Sequence, residues 1–398
     1  MSCCYEFKGC NEETKISAVI FDLDGTLLDT ERATRGVLNG FLAKYGKELD
    51  KEKEEKKRVG MTQQESVDVI LKDYELPLTP EQFIKEITPL YRERWTEAKA
   101  LPGANRLINH LKKNGVPMAL ASNSLRENID VKISHHNGWK ESFSVILGSD
   151  QVKSGKPSPY LFEEAAKKMG VDASNCLVIE DSLVGVKAAN AAKMKVVAIP
   201  SRGEVDCYLL ADTVLHSLLE FQPELWGLPP FDDCMHHTHI LDLFFIHTIF
   251  SDETNLYNPN ICVVLDNTLP IEPIHVSGVY VSGALHESTE NATGALPGQV
   301  FGLYFGWGKV HADRNFKILV SIHLNHLNHV ANKRIHICLI DPNSDDHMYE
   351  QQRMQIHLVG YISAFDKKEL TSRELEKLEE YKSIARASLD LPSFTYSF

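Results

Sequence analysis

Two aspartates, Asp22 and Asp24, stand at the end of an apolar segment in the stretch SAVIFDLDGTLLDTE (residues 17–31). The run 17–21 is typical of a buried strand, and Gly25 and Thr26 behind the aspartates indicate a tight turn. One carboxylate at such a strand end can attack phosphorus as a nucleophile. A second carboxylic acid two residues later can protonate the leaving oxygen and then take a proton from water.

The elements around this stretch alternate between strand and helix. Apolar runs that predict strands are residues 17–21, 116–121, 143–147, 176–179 and 196–199. Helical patterns such as Ala104–Lys113 and Tyr160–Met169 lie between them. This alternation predicts an α/β fold with a doubly wound parallel sheet, in which ligands bind beyond the carboxyl ends of the strands.

Further polar residues follow the other predicted strands, so they should meet the two aspartates at one sheet edge. They are Ser122, Asn123, Lys156, Glu180 and Asp181. Taken alone, Ser122 is as well explained as a helix cap, Lys156 as a surface lysine and DLDGT as a turn. Together they form a carboxylate cluster that repels itself unless a cation is bound, and Mg²⁺ prefers carboxylates combined with phosphate oxygens.

The motifs DLDGT, Ser122-Asn123, Lys156 within GKPSP, and IEDSLVGVKAA resemble, in this order, the four motifs of the haloacid dehalogenase superfamily. The resemblance covers about residues 15–230. It implies that Asp22 is the nucleophile and Asp24 the acid/base. An aspartate at position 24 is typical of the phosphatases and mutases of that superfamily.

The same resemblance implies the binding residues. Ser122 and Asn123 would bind phosphate, and Lys156 would bridge phosphate and Asp22. Asp22 and Asp181 would hold Mg²⁺, with the Asp24 carbonyl as a further ligand and Glu180 as a support for the metal. Residues 29–100 show only helical patterns, and the superfamily carries a small helical cap there that sets substrate choice.

Composition narrows the class of partner and the compartment. The formal net charge of −13 argues against a nucleic-acid-binding protein that works through a basic surface. The amino terminus lacks a basic start followed by a long apolar run, and no apolar run is long enough to span a bilayer. We therefore expect a cytoplasmic enzyme with a small-molecule phosphate ester as its partner, and neither nucleic acid nor membrane.

The segment WGLPPF (residues 226–231) marks a predicted domain boundary, after which the sequence pattern becomes typical of β-strands. In the half that follows, the stretches TLPIEPIHVSG (268–278), GLYFGWGKV (Gly302–Val310) and IHLVGYI (356–362), with the predicted helix Ser372–Leu389, resemble the riboflavin kinase domain. Both halves together resemble the plant bifunctional riboflavin kinase/FMN hydrolase family. The resemblance implies a small β-barrel that binds ATP, Mg²⁺ and riboflavin, and FMN as the phosphatase substrate.

This half departs from the kinase pattern. The family's Pro-Thr-Ala-Asn motif is missing, and His336 stands where the family has a catalytic glutamate. We therefore predict three segments: a phosphatase domain at 1–230, an insert or linker at 231–267, and a degenerate kinase-like domain at 268–398. The sequence leaves open whether the β-barrel of the last domain is complete. Residues 234–267 have no family counterpart.

Three functions remain open from the sequence. The first is an Mg²⁺-dependent phosphatase that acts on FMN, with or without retained riboflavin kinase activity. The second is a phosphatase of the same fold for another small phosphomonoester, such as glycerol 3-phosphate. The third is a carboxyl-terminal half that binds a flavin, ATP or a partner protein without catalysis.

Overall fold

The structure is a computed structural model. It describes residues 15–50, 63–200, 207–231, 269–287, 296–297, 299–310, 314–325, 332–340, 349, 351–363, 372–391 and 394. The predicted insert or linker, apart from residue 231, lies outside the described residues.

The chain forms two compact units. The first comprises Met1–Phe231 and Pro297–Val300, and the second comprises Asp232–Leu296 and Phe301–Phe398. The short segment Pro297–Val300, which the sequence places with the kinase-like domain, thus groups with the first unit. Gln299 of this segment donates a side-chain hydrogen bond to the carbonyl oxygen of Gly25.

The first unit is built on a six-stranded parallel sheet. Its strands are β1 (Ala18–Phe21), β2 (Met118–Ala121), β3 (Val145–Leu147), β4 (Cys176–Glu180), β5 (Lys195–Ala198) and β6 (Thr213–Val214). The spatial order is β3-β2-β1-β4-β5-β6, and every neighbouring pair is parallel. Because the chain winds outward to both sides of β1, the ends of β1, β2 and β4 border the crevice where such sheets bind ligands.

Alternate residues of β1 face two separate layers of helices. These helices are α5 (Ala104–Lys113), α6 (Arg126–Ile133), α7 (Tyr160–Met169), α8 (Leu183–Ala191) and α9 (Cys207–Leu210). Val19 and Phe21 belong to a core with Leu107 and Ile129, whereas Ile20 belongs to a core with residues of α7 and α8. Burial on both faces explains why the strands are continuous apolar runs.

The segment after β1 forms the predicted helical cap. Its helices are α1 (Thr30–Ala33), α2 (Val37–Ala43), α3 (Gln63–Asp73) and α4 (Pro80–Trp95). Thr79 and Gln82 form a reciprocal capping box at the start of α4. The cap has its own core, in which the rings of Phe41 and Phe83 meet edge to face at 5.1 Å.

The second unit contains a closed barrel of antiparallel strands. They are β7 (Leu269–Val281), β8 (Ala284–Glu287), β9 (Gly302–Val310), β10 (Arg314–Asn325), β11 (Asn332–Leu339) and β12 (Arg353–Ser363). The order β10-β11-β8-β7-β12-β9 closes through the pairing of β9 with β10. Helix α10 (Ser372–Leu389) packs Ala385 and Leu389 into a core with Phe305 and Leu319. The predicted fold class is confirmed, and the barrel is complete.

None of the helices in the described part of the chain combines the length and the hydropathy that a membrane span requires.

Candidate active site

Asp22 lies at the end of β1 and is buried, with 6% of its surface exposed. Its backbone N–H continues the sheet by donating to the carbonyl oxygen of Ile179. The turn that follows depends on Gly25, whose φ is +88° and whose missing side chain leaves room for the Asp181 carboxylate. Glycine is required here by both the backbone conformation and the close approach.

Lys156 joins the ends of two strands. Its Nζ lies 2.6 Å from Asp22 Oδ1 and 2.6 Å from Glu180 Oε1, and the residue is 3% exposed. The side chain of Asn123 holds the Lys156 backbone, accepting from its N–H at 2.8 Å and donating to its carbonyl at 3.2 Å. The sequence predicts phosphate binding for Asn123, and in the structure these two bonds also fix the loop that carries Lys156.

Glu180 is the last residue of β4, Asp181 follows it, and both are buried. Glu180 Oε2 accepts hydrogen bonds from the Ser182 backbone N–H at 2.9 Å and the Ser182 hydroxyl at 3.0 Å. The hydroxyl also caps α8 by accepting from the N–H of Gly185. Asp181 Oδ1 accepts from the Thr26 hydroxyl at 3.2 Å. The start of α8 and the turn after β1 therefore hold this pair of carboxylates in place.

The cluster carries more negative than positive charge. Burial, reinforced by the charges of Glu180 and Asp24, raises the pKa of Asp22 to about 7 even though Lys156 opposes the shift. Burial, followed by the charges of Glu180 and Asp22, raises the pKa of Asp181 well above its usual value. The charges of Asp22 and Glu180 outweigh burial and raise the pKa of Lys156.

These residues fit a hard divalent cation. Asp22, Glu180 and Asp181 each offer a carboxylate oxygen, and the three oxygens lie within 4.8 Å of one another. Oxygen ligands of this kind are those that Mg²⁺ prefers. Burial and the mutual repulsion of the carboxylates raise the pKa values of Asp22 and Asp181, and a bound cation would favour their charged forms.

Asp24 occupies a different environment from Asp22, although only one residue separates them. Its side chain is 29% exposed and forms an ion pair with Lys132, whose Nζ lies 2.7 Å from Oδ1 and 2.8 Å from Oδ2. The hydroxyls of Ser124 and Ser122 donate to Oδ2 at 2.8 and 3.4 Å. Burial alone would raise the pKa of Asp24, but the charge of Lys132 and hydrogen bonds from Lys132, Ser124 and Thr30 lower it.

All seven residues predicted from the sequence meet at one edge of the sheet. The sequence did not reveal two partners of Asp24, which are Ser124 and Lys132. Ser124 lies in the same strand-end loop as Ser122. In the sequence RENIDVKI, Lys132 resembles a surface lysine. Its spacing from Ile129 and Ile133 places it on the same helix face as these two residues, which was the sequence signal for its burial.

His336 of the second unit lies on β11 between Ile335 and Ile337, which are buried. Alternation along a strand places His336 on the opposite face from these two residues. Partial burial and the neighbouring Arg334 lower the pKa of His336, which favours the neutral imidazole at pH 7.

Comparisons with known proteins identify relatives of this chain. Residues 16–193 match the family model of the haloacid dehalogenase-like hydrolases. The chain is 40% identical over 390 residues to the bifunctional riboflavin kinase/FMN phosphatase of Arabidopsis thaliana, which covers 95% of this chain and 94% of that protein.

Two further relatives match little more than half of the chain. A probable pseudouridine-5'-phosphatase of Drosophila melanogaster is 37% identical over 228 residues, covering 55% of this chain and 97% of that protein. The (DL)-glycerol-3-phosphatase 2 of Arabidopsis thaliana is 36% identical over 229 residues, covering 55% of this chain and 94% of that protein.

Proposed function

Because this chain belongs to the family of the bifunctional riboflavin kinase/FMN phosphatases and is a phosphatase of the haloacid dehalogenase type, we propose that it converts FMN to riboflavin and phosphate with Mg²⁺ as cofactor. The observation that best supports this chemistry is that two carboxylates close in sequence form ion pairs with two different lysines. Asp22 pairs with Lys156 in the candidate metal cluster formed by Asp22, Glu180 and Asp181, whereas the Asp24 side chain pairs with Lys132.

In the first step, a carboxylate oxygen of Asp22 attacks the phosphorus of the ester. The phosphorus–oxygen bond to the leaving group breaks, and Asp24 gives a proton to the leaving oxygen. Asp24 must therefore be protonated at this step, although Lys132 lowers its pKa in the substrate-free protein. This step leaves an aspartyl-phosphate on Asp22. In the second step, Asp24 takes a proton from water, whose oxygen attacks phosphorus, so that phosphate is released and Asp22 is restored.

The remaining residues bind and orient the phosphoryl group. Ser122 and Lys156 would contact its oxygens, and Asn123 fixes the Lys156 loop and is a further candidate ligand. Asp22, Glu180 and Asp181, together with the Asp24 carbonyl, would hold Mg²⁺, which neutralises charge on the phosphoryl group when bound.

The choice of FMN rests on the relative that spans both halves of the chain. The competing candidate is glycerol 3-phosphate, because the glycerol-3-phosphatase relative is matched over 94% of its own length. The cap determines the choice between them, since caps in such enzymes cover the leaving group and exclude water.

A screen of small phosphomonoesters with the full chain tests the proposal. FMN, glycerol 3-phosphate and pseudouridine 5'-phosphate are compared by phosphate release with Mg²⁺ present, and riboflavin formation is followed in parallel. We expect the highest kcat/KM for FMN. A higher kcat/KM for glycerol 3-phosphate, with little riboflavin formed, would replace FMN by the second candidate.

A further inference from the structure

Lys132 is a buried lysine in the first unit that the proposed chemistry has not yet used. It lies on α6, the helix that follows β2, and only 5% of its surface is exposed. Lysine is seldom buried unless its charge is paired, because removing an ammonium group from water is costly. A buried lysine beside the candidate acid/base residue therefore calls for a specific role.

The ammonium group of Lys132 has a partner for each of its three protons. Nζ lies 2.7 Å from Asp24 Oδ1, 2.8 Å from Asp24 Oδ2 and 2.8 Å from the Ser124 hydroxyl oxygen. The Ser124 hydroxyl in turn donates to Asp24 Oδ2 at 2.8 Å. This triangle fixes the carboxyl group from two sides and restricts its rotation.

The cap covers this triangle. Trp95, the last residue of α4, places its ring 4.7 Å from the Lys132 ammonium, measured to the ring centroid. A cation over an aromatic face is attracted to it. Beside this contact, Arg92 of α4 forms an ion pair with Glu127 of α6 at 2.6 Å. The end of the cap helix is thus anchored to the helix that carries Lys132.

We propose that Lys132 is a positioning residue that orients the Asp24 carboxyl group toward the leaving oxygen of the substrate. The inference rests on the proposed function, because it assigns Lys132 to the proton-transfer half of that reaction. Lys132 acts through Asp24, and Trp95 of the cap helps to hold the ammonium group in place. Lys156 forms an ion pair with Asp22 instead, so the two aspartates have different lysine partners.

This role differs from two simpler ones in what it predicts. A lysine that binds the substrate itself should mainly change KM when it is lost. A lysine that only stabilises the fold should lower the turnover of all substrates equally. Loss of a residue that positions the acid should lower kcat more for a leaving group that needs a proton than for one that does not.

The test compares Lys132→Met with Lys132→Gln, which keeps a polar side chain if the methionine variant does not fold. We expect kcat for FMN, or for whichever alkyl phosphate the wild type hydrolyses best, to fall by about 10- to 100-fold, less than the largest losses seen when an acid/base group is removed. For 4-nitrophenyl phosphate, whose leaving group needs little protonation, we expect a loss of less than about 3-fold. KM should change little for either substrate.

Two controls separate this inference from its alternatives. In an Asp24→Asn background, adding Lys132→Met should cause no further loss on the alkyl phosphate, because the residue through which it acts is gone. Lys112→Met is the matched substitution at an exposed lysine near the end of α5, away from the strand ends that carry the site.

Equal losses on alkyl and aryl phosphates, a change confined to KM, or full additivity with Asp24→Asn would overturn the role of Lys132. Failure of the proposed function would look different, since the wild type itself would then not hydrolyse FMN. The ratio of alkyl to aryl turnover can be measured with any alkyl phosphate that the wild type accepts.

Discussion

At the scale of single residues, two carboxylates that are close in sequence have different charged and hydrogen-bonding partners. Asp22 shares Lys156 with Glu180 and lies against Asp181, whereas Asp24 is held by Lys132 and two serines. The pKa of Asp22 is raised and that of Asp24 is lowered, which favours the ionised Asp24 that takes a proton from water in the proposed second step.

Replacing Asp24 by asparagine should slow hydrolysis of alkyl phosphates by about 10²- to 10⁴-fold, because the variant would lack the proposed general acid and base. Binding of Mg²⁺ should survive, since the proposed contact comes from the backbone carbonyl. The loss should be smaller for 4-nitrophenyl phosphate. Steady-state kinetics with both ester types check this, and equal losses would count against the acid role of Asp24.

The pKa values of the cluster predict how Mg²⁺ binding depends on pH. In the metal-free protein the pKa of Asp22 is raised to about 7 and that of Asp181 is also raised, so the cluster retains protons at lower pH. A cation must displace these protons, and therefore its affinity should increase as pH rises through 7. The free carboxylates also destabilise the metal-free fold as they ionise, so the Tm of the metal-free protein should fall over the same pH range.

Thermal unfolding with and without Mg²⁺ measures this dependence. We expect the metal to raise Tm by more at about pH 8 than at about pH 6, with Ca²⁺ as a comparison cation of similar ligand preference. A rise that is constant across this range, or larger at the lower pH, would contradict the proposed ligands.

At the scale of elements, the start of α8 is built around the Glu180 carboxylate. A side chain at Gly185 would run directly into that carboxylate. Gly185→Ala should therefore destabilise the protein and weaken Mg²⁺-dependent activity, although alanine normally favours a helix over glycine by about 1 kcal/mol.

Gly40→Ala is the matched control, because Gly40 lies within α2 and a Cβ there meets nothing within 4 Å. We expect this substitution to leave activity unchanged and to stabilise the fold slightly. Denaturant unfolding and phosphatase assays on both variants check the prediction, and a stabilised, fully active Gly185→Ala would show that Glu180 is not confined as described.

The strands that position the site could be predicted from the sequence because each is a short apolar run buried on both faces. Helices Ala104–Lys113 and Tyr160–Met169 have the predicted bounds. The two-residue edge strand β6 carries no such signal. Lys132 was missed because burial of a lysine depends on tertiary contacts, which helix periodicity alone does not reveal.

At the scale of the whole molecule, closure of the barrel also lay beyond the sequence. Stretches of β7, β9 and β12 had recognisable patterns, but closure depends on pairing β9 with both β10 and β12. Pairing between distant strands follows from register and twist, which a local pattern does not specify.

We predict that this chain does not sustain riboflavin phosphorylation, even though its relative is named a bifunctional enzyme. Phosphoryl transfer needs a cradle for ATP and Mg²⁺ and a group that orients the attacking hydroxyl. The Pro-Thr-Ala-Asn motif is missing from the sequence, and His336 replaces the expected glutamate.

The assay uses an Asp22→Asn background, so that FMN is not hydrolysed as it forms. Riboflavin, ATP and Mg²⁺ are supplied, FMN is followed by chromatography, and the Arabidopsis relative serves as positive control. Many turnovers of FMN per enzyme would restore the bifunctional interpretation.

The central claim is that Asp22 accepts the phosphoryl group, and trapping that intermediate tests it most directly. Enzyme is mixed with FMN and Mg²⁺, quenched in acid within one turnover and examined by mass spectrometry, with Asp22→Asn in parallel. We predict a mass gain of one phosphoryl group, located by fragmentation to Asp22, and neither the adduct nor turnover in the variant. Full turnover by Asp22→Asn, or an adduct on another residue, would contradict the account.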